Sequence, residues 1–102
     1  MAYVYIVGLK DGTHYCGIAR EIVKRLIDHG KGRSKSTRNK RPIIIKFITR
    51  KESMTEARQL EVKIKKQGVT RWYVRNQHRT DNIISEVSQE CASVHSLLFS
   101  FV

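Results

Sequence analysis

The sequence predicts a small α+β domain, with a three-stranded antiparallel sheet flanked by helices and an extra helix at the C-terminus. Two segments rich in β-branched and aromatic residues, 3–9 and 13–19, flank a turn, and a third apolar segment covers 43–50. Three further segments repeat their apolar residues at helical spacing. Because 102 residues suffice for one modest core, we assign residues 1–79 to the domain and 80–102 to a helical extension.

The first two strands are predicted to form a β-hairpin whose loop length decides which side chains share a face. A two-residue Asp-Gly turn would put Tyr5 and Tyr15 on opposite faces of the sheet. A three-residue loop, with Gly12 in the left-handed conformation, pairs Leu9 with Thr13 and puts both tyrosines on one face. We favour the three-residue loop because joint chemistry by the two tyrosines requires a common face.

Three helices are predicted, covering residues 20–30, 53–67 and 81–98. The first carries Arg25 and His29 four positions apart, one turn from each other at the edge of its apolar stripe. The second carries Glu61 inside its apolar stripe, where a carboxylate must find a cation or stay protonated. An ion pair with Lys65 on the same helix is one solution, and a bound metal ion is the one we favour.

The charge of the chain indicates a polyanionic partner. Lys and Arg number 20 against nine Asp and Glu, a formal net charge of +11. Residues 31–51 contain nine basic residues and no acidic one, and such runs typically contact phosphates. Around residues 71–75 the cations alternate with aromatic and apolar residues, of which we expect Trp72 and Val74 to pack in the core. The predicted nucleic-acid contacts are Lys31, Arg33, Lys35, Arg38, Lys40, Arg41, Arg71 and Arg75.

The cysteines and the N-terminus predict a cytoplasmic protein. Cys16 and Cys91 form no disulfide framework, and we interpret them as free thiols in a reducing compartment. The first residues lack a basic lead and a cleavage site, and no apolar run approaches the length of a membrane span. Cys91 and His95 lie four apart, but without a second pair at metal-ligand spacing we do not interpret them as a zinc site.

Several short motifs resemble one nuclease family. The triplets YVY at 3–5 and YCG at 15–17 resemble the two strand motifs that name the GIY-YIG nucleases. Arg25 follows Tyr15 by ten residues and His29 follows Arg25 by four, as in the family's first helix. TRNKRPIIIKFI and EARQLEVKIKKQ are similar to segments of small stand-alone bacterial members. The resemblance covers roughly residues 1–76, with Tyr-Val in place of Gly-Ile and Cys in place of the second Ile.

The resemblance implies a metal-dependent endonuclease that hydrolyses phosphodiester bonds in DNA, duplex or structured. Glu61 falls where the family keeps its metal-binding glutamate, and a single carboxylate can hold one Mg²⁺ or Mn²⁺ together with waters and a phosphate oxygen. Asn76 falls where some members carry a further active-site asparagine. Gly17 would let the phosphate backbone come close to the strand.

The resemblance also implies that a tyrosine is the general base. We prefer Tyr5 as the base, with Tyr15 orienting the water or the phosphate. Arg25 would bind the phosphate oxygens through its planar fork, and His29 would hydrogen-bond a tyrosine or exchange a proton with it. The predicted catalytic residues are Tyr5, Tyr15, Arg25, His29, Glu61 and Asn76. The alternative is a catalytically silent nucleic-acid-binding module, which would explain the charge equally well.

Residues 80–102 carry an apolar stripe that predicts a buried helix face. Their three acidic residues and lack of any Lys or Arg indicate that this segment stays away from DNA. The stripe either packs on the domain's own sheet or meets its copy in a homodimer, and both alternatives stay open. The residues of the stripe are Ile84, Val87, Cys91, Val94, Leu98 and Phe101.

Overall fold

The protein is described by a computed structural model over residues 1–91 and 100–101. The elements follow in the order β1 (Ala2–Gly8), β2 (His14–Ala19), α1 (Ile22–Gly30), β3 (Ile44–Lys51), α2 (Met54–Gln67), α3 (Val69–Asn76), α4 (Ile84–Cys91) and β4 (Ser100–Phe101). A short 3₁₀ turn, Arg38–Lys40, lies within the otherwise irregular segment between α1 and β3. The predicted α+β class is confirmed.

The sheet is mixed and has four strands within the described residues, in the order β2-β1-β3-β4. Strand β1 pairs antiparallel with both β2 and β3. Strand β4 pairs parallel with β3, setting Ile44 opposite Ser100 and Ile45 opposite Phe101. The three predicted strands pair antiparallel as expected, but the sheet is not purely antiparallel. The prediction missed β4, because a two-residue strand is too short to have an alternating pattern of its own.

The hairpin between β1 and β2 has the predicted three-residue loop. The amide of Leu9 donates to the carbonyl of Thr13 at 2.8 Å, and Gly12 has a φ of +87°, a conformation that is strained for residues with a Cβ. The resulting register points Tyr5 and Tyr15 from the same face of the sheet.

Helix α2 begins and ends as its sequence predicts. The Ser53 side chain accepts a hydrogen bond from the amide of Glu56, a typical N-cap. Gly68, with a φ of +91°, ends α2 and leads directly into α3. Helix α3 was not predicted. The predicted last helix begins at Ile84 rather than at residue 81, and its residues 92–98 lie outside the described residues.

Each face of the sheet packs against its own pair of helices. On the face of Tyr5, a cluster of apolar side chains joins the sheet to α1 and α4, including Leu26 and Val87. On the other face, α2 and α3 contribute Ile64 and Trp72 to a second cluster. Within the described part of the chain, no helix combines the length and the apolar character that crossing a membrane requires.

Candidate active site

The hydroxyl of Tyr5 lies at the centre of a buried polar group between β1 and α1. Tyr5 is fully buried in the middle of the sheet. Its Oη lies 2.7 Å from Nε2 of His29 and accepts a hydrogen bond from Nε of Arg25 at 3.2 Å. The one-turn separation of Arg25 and His29 on α1 brings both side chains to the same tyrosine.

His29 is held on its other side by a residue that was not predicted. Its Nδ1 lies 2.8 Å from Oγ1 of Thr37, and both side chains are fully buried. Thr37 stands in the irregular basic segment before β3, where no periodicity indicates the direction of a side chain. A loop threonine among lysines and arginines therefore carries no signal in the sequence that could have identified it.

The hydrogen-bond partners favour one arrangement of the protons in this group. The Tyr5 oxygen already accepts from Arg25, which polarises the phenol and makes its proton the better donor. His29 Nε2 is then the acceptor of the Tyr5 proton, and Nδ1–H donates to Thr37. In this arrangement the proton of the phenol points at the lone pair of a neutral imidazole.

Burial keeps both Tyr5 and His29 in their neutral forms. Burial raises the pKa of Tyr5 to about 12, although the hydrogen bond and charge of Arg25 oppose this shift. Burial lowers the pKa of His29 to about 4, and the positive charge of Arg25 adds to the effect. The hydrogen bond from Arg25 to Tyr5, above all, raises the pKa of Arg25 itself. At neutral pH Arg25 is therefore the charged member of this trio.

Tyr15 stands at the side of the buried group and is half-buried. Its ring centroid lies 6.4 Å from that of Tyr5 and 5.5 Å from that of His29. An open cleft of about 300 Å³ lies next to Arg25, and its charged lining includes Arg20 and Lys24 as well as the carboxylates Glu21 and Asp28. The structure thus brings together four of the predicted catalytic residues, Tyr5, Tyr15, Arg25 and His29.

Gly17 lies directly under the Tyr5 hydroxyl. A Cβ at Gly17 would stand 2.5 Å from Oη of Tyr5 and 3.1 Å from Cε2 of Tyr15, distances that the two rings could not tolerate without moving. The lack of a Cβ at Gly17 therefore leaves the space that the Tyr5 hydroxyl occupies. Its predicted role in admitting the phosphate backbone stays a prediction.

Glu61 lies on α2, which covers the sheet face opposite to Tyr5. Its side chain is 18% exposed, and its carboxylate pairs with Lys65 Nζ at 3.3 Å, the alternative partner considered from the sequence. Burial, with a smaller contribution from the charge of Glu61, raises the pKa of the Cys16 thiol to about 12. Glu61 therefore lies near Cys16, whose neighbours along edge strand β2 are Tyr15 and Gly17.

Asn76 is also on the far side of the sheet. It is the last residue of α3, and its Nδ2 donates to the carbonyl of Trp72 at 2.8 Å. Trp72 packs edge-to-face on Phe47 in the core, as expected, whereas Val74 is exposed. The active-site role of Asn76 stays a prediction.

Some of the side chains predicted to contact nucleic acid are held by ion pairs or hydrogen bonds within the protein, and others are not. Arg33 pairs with Asp28, and Lys40 pairs with Asp11. Arg41 donates to the carbonyls of Arg38 and Gly30. The exposed side chains with neither an ion pair nor a hydrogen bond within the described residues are those of Lys31, Lys35, Arg38, Arg71 and Arg75.

Comparison with known proteins finds relatives that are similar over 64 or 66 residues rather than over the short motifs alone. A UPF0213 protein of Staphylococcus saprophyticus is 39% identical over 64 residues, 62% of this chain and 78% of that protein. A UPF0213 protein of Nitratidesulfovibrio vulgaris is 36% identical over 66 residues, 64% of this chain and 60% of that protein. The solution NMR structure of a UPF0213 protein from Bacillus halodurans is 32% identical, with a TM-score of 0.43 over 65% of this chain and 72% of that one.

Residues 1–73 match the family model of the GIY-YIG catalytic domain, which is well over half of the chain. The match spans β1 to α3 and includes the tyrosine group as well as Glu61. This chain therefore belongs to the GIY-YIG family of nucleases.

Proposed function

We propose that this protein is an endonuclease that hydrolyses phosphodiester bonds in DNA with the help of one divalent cation. The observation that supports this best is the Tyr5 hydroxyl, held between Arg25 and His29. A phenylalanine would fill the same core volume. The two partners of the hydroxyl therefore indicate a function in proton transfer rather than in packing.

In the proposed reaction a water molecule attacks phosphorus while its proton moves to Oη of Tyr5. The original Tyr5 proton moves at the same time to Nε2 of His29, and the bond from phosphorus to the leaving oxygen breaks. The leaving oxygen takes a proton from solvent water, and the His29 imidazolium afterwards releases its proton to solvent. Arg25 binds the non-bridging oxygens, on which negative charge grows in the transition state. Tyr15, half-buried beside them, orients the water or the phosphate.

The concerted transfer follows from the two pKa shifts. With the pKa of Tyr5 near 12 and that of His29 near 4, a free phenolate beside an imidazolium is unfavourable in the resting protein. A shuttle in which Tyr5 gains one proton as it loses another avoids the phenolate. The negative charge that develops on the phosphate then favours the imidazolium that forms beside it.

Glu61 is the residue we propose as the ligand of Mg²⁺ or Mn²⁺. Its carboxylate is a hard oxygen donor beside edge strand β2, and its present partner Lys65 is about half exposed, so their ion pair is weak. Among the described residues no cluster of three or more metal-ligating side chains occurs. A single carboxylate completed by water and phosphate oxygens fits this donor set. The bound cation would supply neutralisation of charge on the phosphate.

A catalytically silent DNA-binding module is the second candidate. It is favoured by the position of Glu61, which lies on α2 behind the sheet and already has a cationic partner. A silent module would retain the charge and the exposed basic residues. It would give no reason for the buried contact between Tyr5 and a neutral His29.

The first test is cleavage of supercoiled, linear, single-stranded and branched DNA in the presence of Mg²⁺ or Mn²⁺. We expect cleavage by the wild type and its loss in Glu61→Ala, with DNA binding preserved, because the variant lacks the proposed metal ligand. Glu90→Ala, which removes an exposed carboxylate on α4, serves as the control and should cut normally. Cleavage by Glu61→Ala near the wild-type rate would show the metal assignment to be wrong. Binding of all four DNA forms without cleavage would support the silent module.

A further inference from the structure

We infer that Thr37 is a positioning residue of this site, whose hydroxyl holds the His29 ring in the tautomer that accepts the Tyr5 proton. The inference rests on the proposed nuclease function and adds to it a residue from the basic loop, residues 31–42. Thr37 would touch neither DNA nor the reacting atoms and would act only through His29.

The loop holds the Thr37 hydroxyl in a fixed place. The backbone amide of Thr37 donates to the carbonyl of Ser34 at 3.3 Å, and the carbonyl of Thr37 accepts from the amide of Lys40 at 2.9 Å. The side chain is fully buried, with Oγ1 at 2.8 Å from Nδ1 of His29. The two backbone hydrogen bonds hold the backbone of Thr37 in place, and its buried side chain directs the hydroxyl at the imidazole.

The tautomer of His29 decides whether the ring can take a proton from Tyr5. A neutral imidazole carries its proton on one nitrogen, and the other nitrogen accepts. With Thr37 as acceptor, the proton stays on Nδ1 and the lone pair of Nε2 faces Tyr5. Without that acceptor a buried Nδ1–H would be unsatisfied, which is costly, so the proton would move to Nε2 and block the transfer.

The same residue connects DNA binding with the catalytic group. Lys35 and Arg38 lie two positions before and one position after Thr37, and both are exposed without an ion pair among the described residues. A phosphate bound by these side chains would act on the short segment that carries the hydroxyl. Contacts between the loop and DNA would thus lie next to the residue that positions His29.

Two substitutions separate positioning from simple support of the fold. Thr37→Val keeps the shape and removes the hydroxyl, while Thr37→Ser keeps the hydroxyl. Thr49→Val is the matched control, because Thr49 is equally buried and its Oγ1 has no hydrogen-bond partner within the described residues. If Thr37→Val does not fold, Thr37→Ala replaces it. Folding is checked by thermal denaturation before any other measurement.

The first measurement is the pair of ¹⁵N shifts of the His29 ring at pH 7 in the protein without DNA. The His29 signals are identified by their loss in His29→Gln. We expect the wild type, Thr37→Ser and Thr49→Val to carry the proton on Nδ1, and Thr37→Val to shift it toward Nε2. A wild-type ring protonated on Nε2, or a Thr37→Val ring identical to the wild type, would overturn the inference.

The second measurement is cleavage under single-turnover and steady-state conditions. In Thr37→Val we expect kcat to fall ~10–100-fold, the scale of one buried hydrogen bond, while KM stays nearly constant and Thr37→Ser recovers most of the rate. A loss confined to KM, or an equal loss in Thr49→Val, would contradict positioning. A wild-type protein that cuts no DNA would contradict the proposed function, and the nitrogen shifts would still decide whether Thr37 sets the tautomer.

Discussion

Two buried residues, Tyr5 and His29, have pKa values that burial moves in opposite directions, and both shifts favour the neutral form. Arg25 adds to the shift of His29 and opposes that of Tyr5, since a nearby positive charge favours phenolate and disfavours imidazolium. A proton therefore rests on Tyr5, directed at a nitrogen that can receive it.

The free energy of unfolding should fall as the pH is lowered from about 6.5 to about 4. Since the pKa of His29 is about 4 in the folded protein against an ordinary 6.5, only the unfolded chain binds the proton in this range. His29 can account for at most roughly 3 kcal/mol of this loss. Above pH 6.5 it causes no loss, because the ring is then neutral in both the folded and the unfolded chain. Urea denaturation at several pH values would measure it. His29→Gln should show a smaller decrease, and an equal decrease would contradict the low pKa.

The grouping of Tyr5, Tyr15, Arg25 and His29 could be predicted because the resemblance to the GIY-YIG motifs singled these residues out and regular backbone fixes their side-chain directions. In a strand the period of two allowed both tyrosines on one face only with the three-residue loop, which we favoured because joint chemistry of the tyrosines requires it. In a helix a separation of four placed Arg25 above His29. Thr37 could not be predicted, because a loop has no period and its contact with His29 depends on the folded path of the chain.

At the level of elements, the basic loop contains two kinds of cation. Arg33, Lys40 and Arg41 are engaged with carboxylates or carbonyls of the protein itself. Lys31 and Lys35 are exposed and make no ion pair among the described residues. The unengaged side chains are the better candidates for phosphate contacts.

Neutralising Lys31, Lys35 and Arg38 together to Gln should weaken DNA binding and flatten its salt dependence. Each lost phosphate contact lowers the slope of log K against log salt by about 0.9 on duplex DNA, so the change should be at most ~2.7. Binding measured at several salt concentrations gives the slope.

The control is the triple Gln variant of Arg58, Lys63 and Lys66 on α2, with the same change in net charge. Equal slopes for the two triple variants would move the DNA path away from the loop.

The short elements are the ones that sequence patterns missed. Helix α3 has only eight residues, and its buried Trp72 and Tyr73 are adjacent, so they do not repeat at helical spacing. Strand β4 has two residues and is defined by its pairing with β3. Both depend on contacts between segments distant in the chain, whereas α2 has caps at both ends that are readable locally.

Helix α4 contributes to the core of the domain that it follows. Val87 is buried on the Tyr5 face of the sheet, and the amide of Ile83 donates to the carbonyl of Ile48 at 2.7 Å. Val87→Ala should therefore lower the free energy of unfolding by roughly 2 kcal/mol, through lost apolar contact and a cavity. Denaturant unfolding would measure this. Val74→Ala, at a site that is 60% exposed, should change stability by under ~0.5 kcal/mol, and a similar loss in both variants would contradict the packing.

The molecule as a whole is one sheet with different chemistry on its two faces. One face carries the tyrosine group under α1, with α4 packed beside it, and the other carries Glu61 and Asn76 on α2 and α3. The described part of the C-terminal stripe packs within the chain, through Val87 and Cys91. Val94 and Leu98 lie outside the described residues, and homodimerisation through residues 80–102 stays a prediction.

Charge is also distributed unevenly along the chain. Residues 80–102 contain Asp81, Glu86 and Glu90 and no Lys or Arg, while all 20 basic residues precede them. Nucleic acid is therefore expected to bind the part of the chain that matches the GIY-YIG domain, and α4 to lie outside the DNA path. The proposed reaction combines this binding surface with proton transfer through the buried tyrosine.

In the proposed reaction the Tyr5 hydroxyl takes the proton of the attacking water, and the rate of DNA cleavage by Tyr5→Phe measures its contribution. The variant keeps the ring and removes only the hydroxyl. We predict a single-turnover rate lower by about 10²–10⁴-fold with unchanged DNA affinity, and a smaller loss in Tyr15→Phe. Cleavage by Tyr5→Phe within a few-fold of wild type, or a far larger loss in Tyr15→Phe, would show that Tyr5 is not the general base.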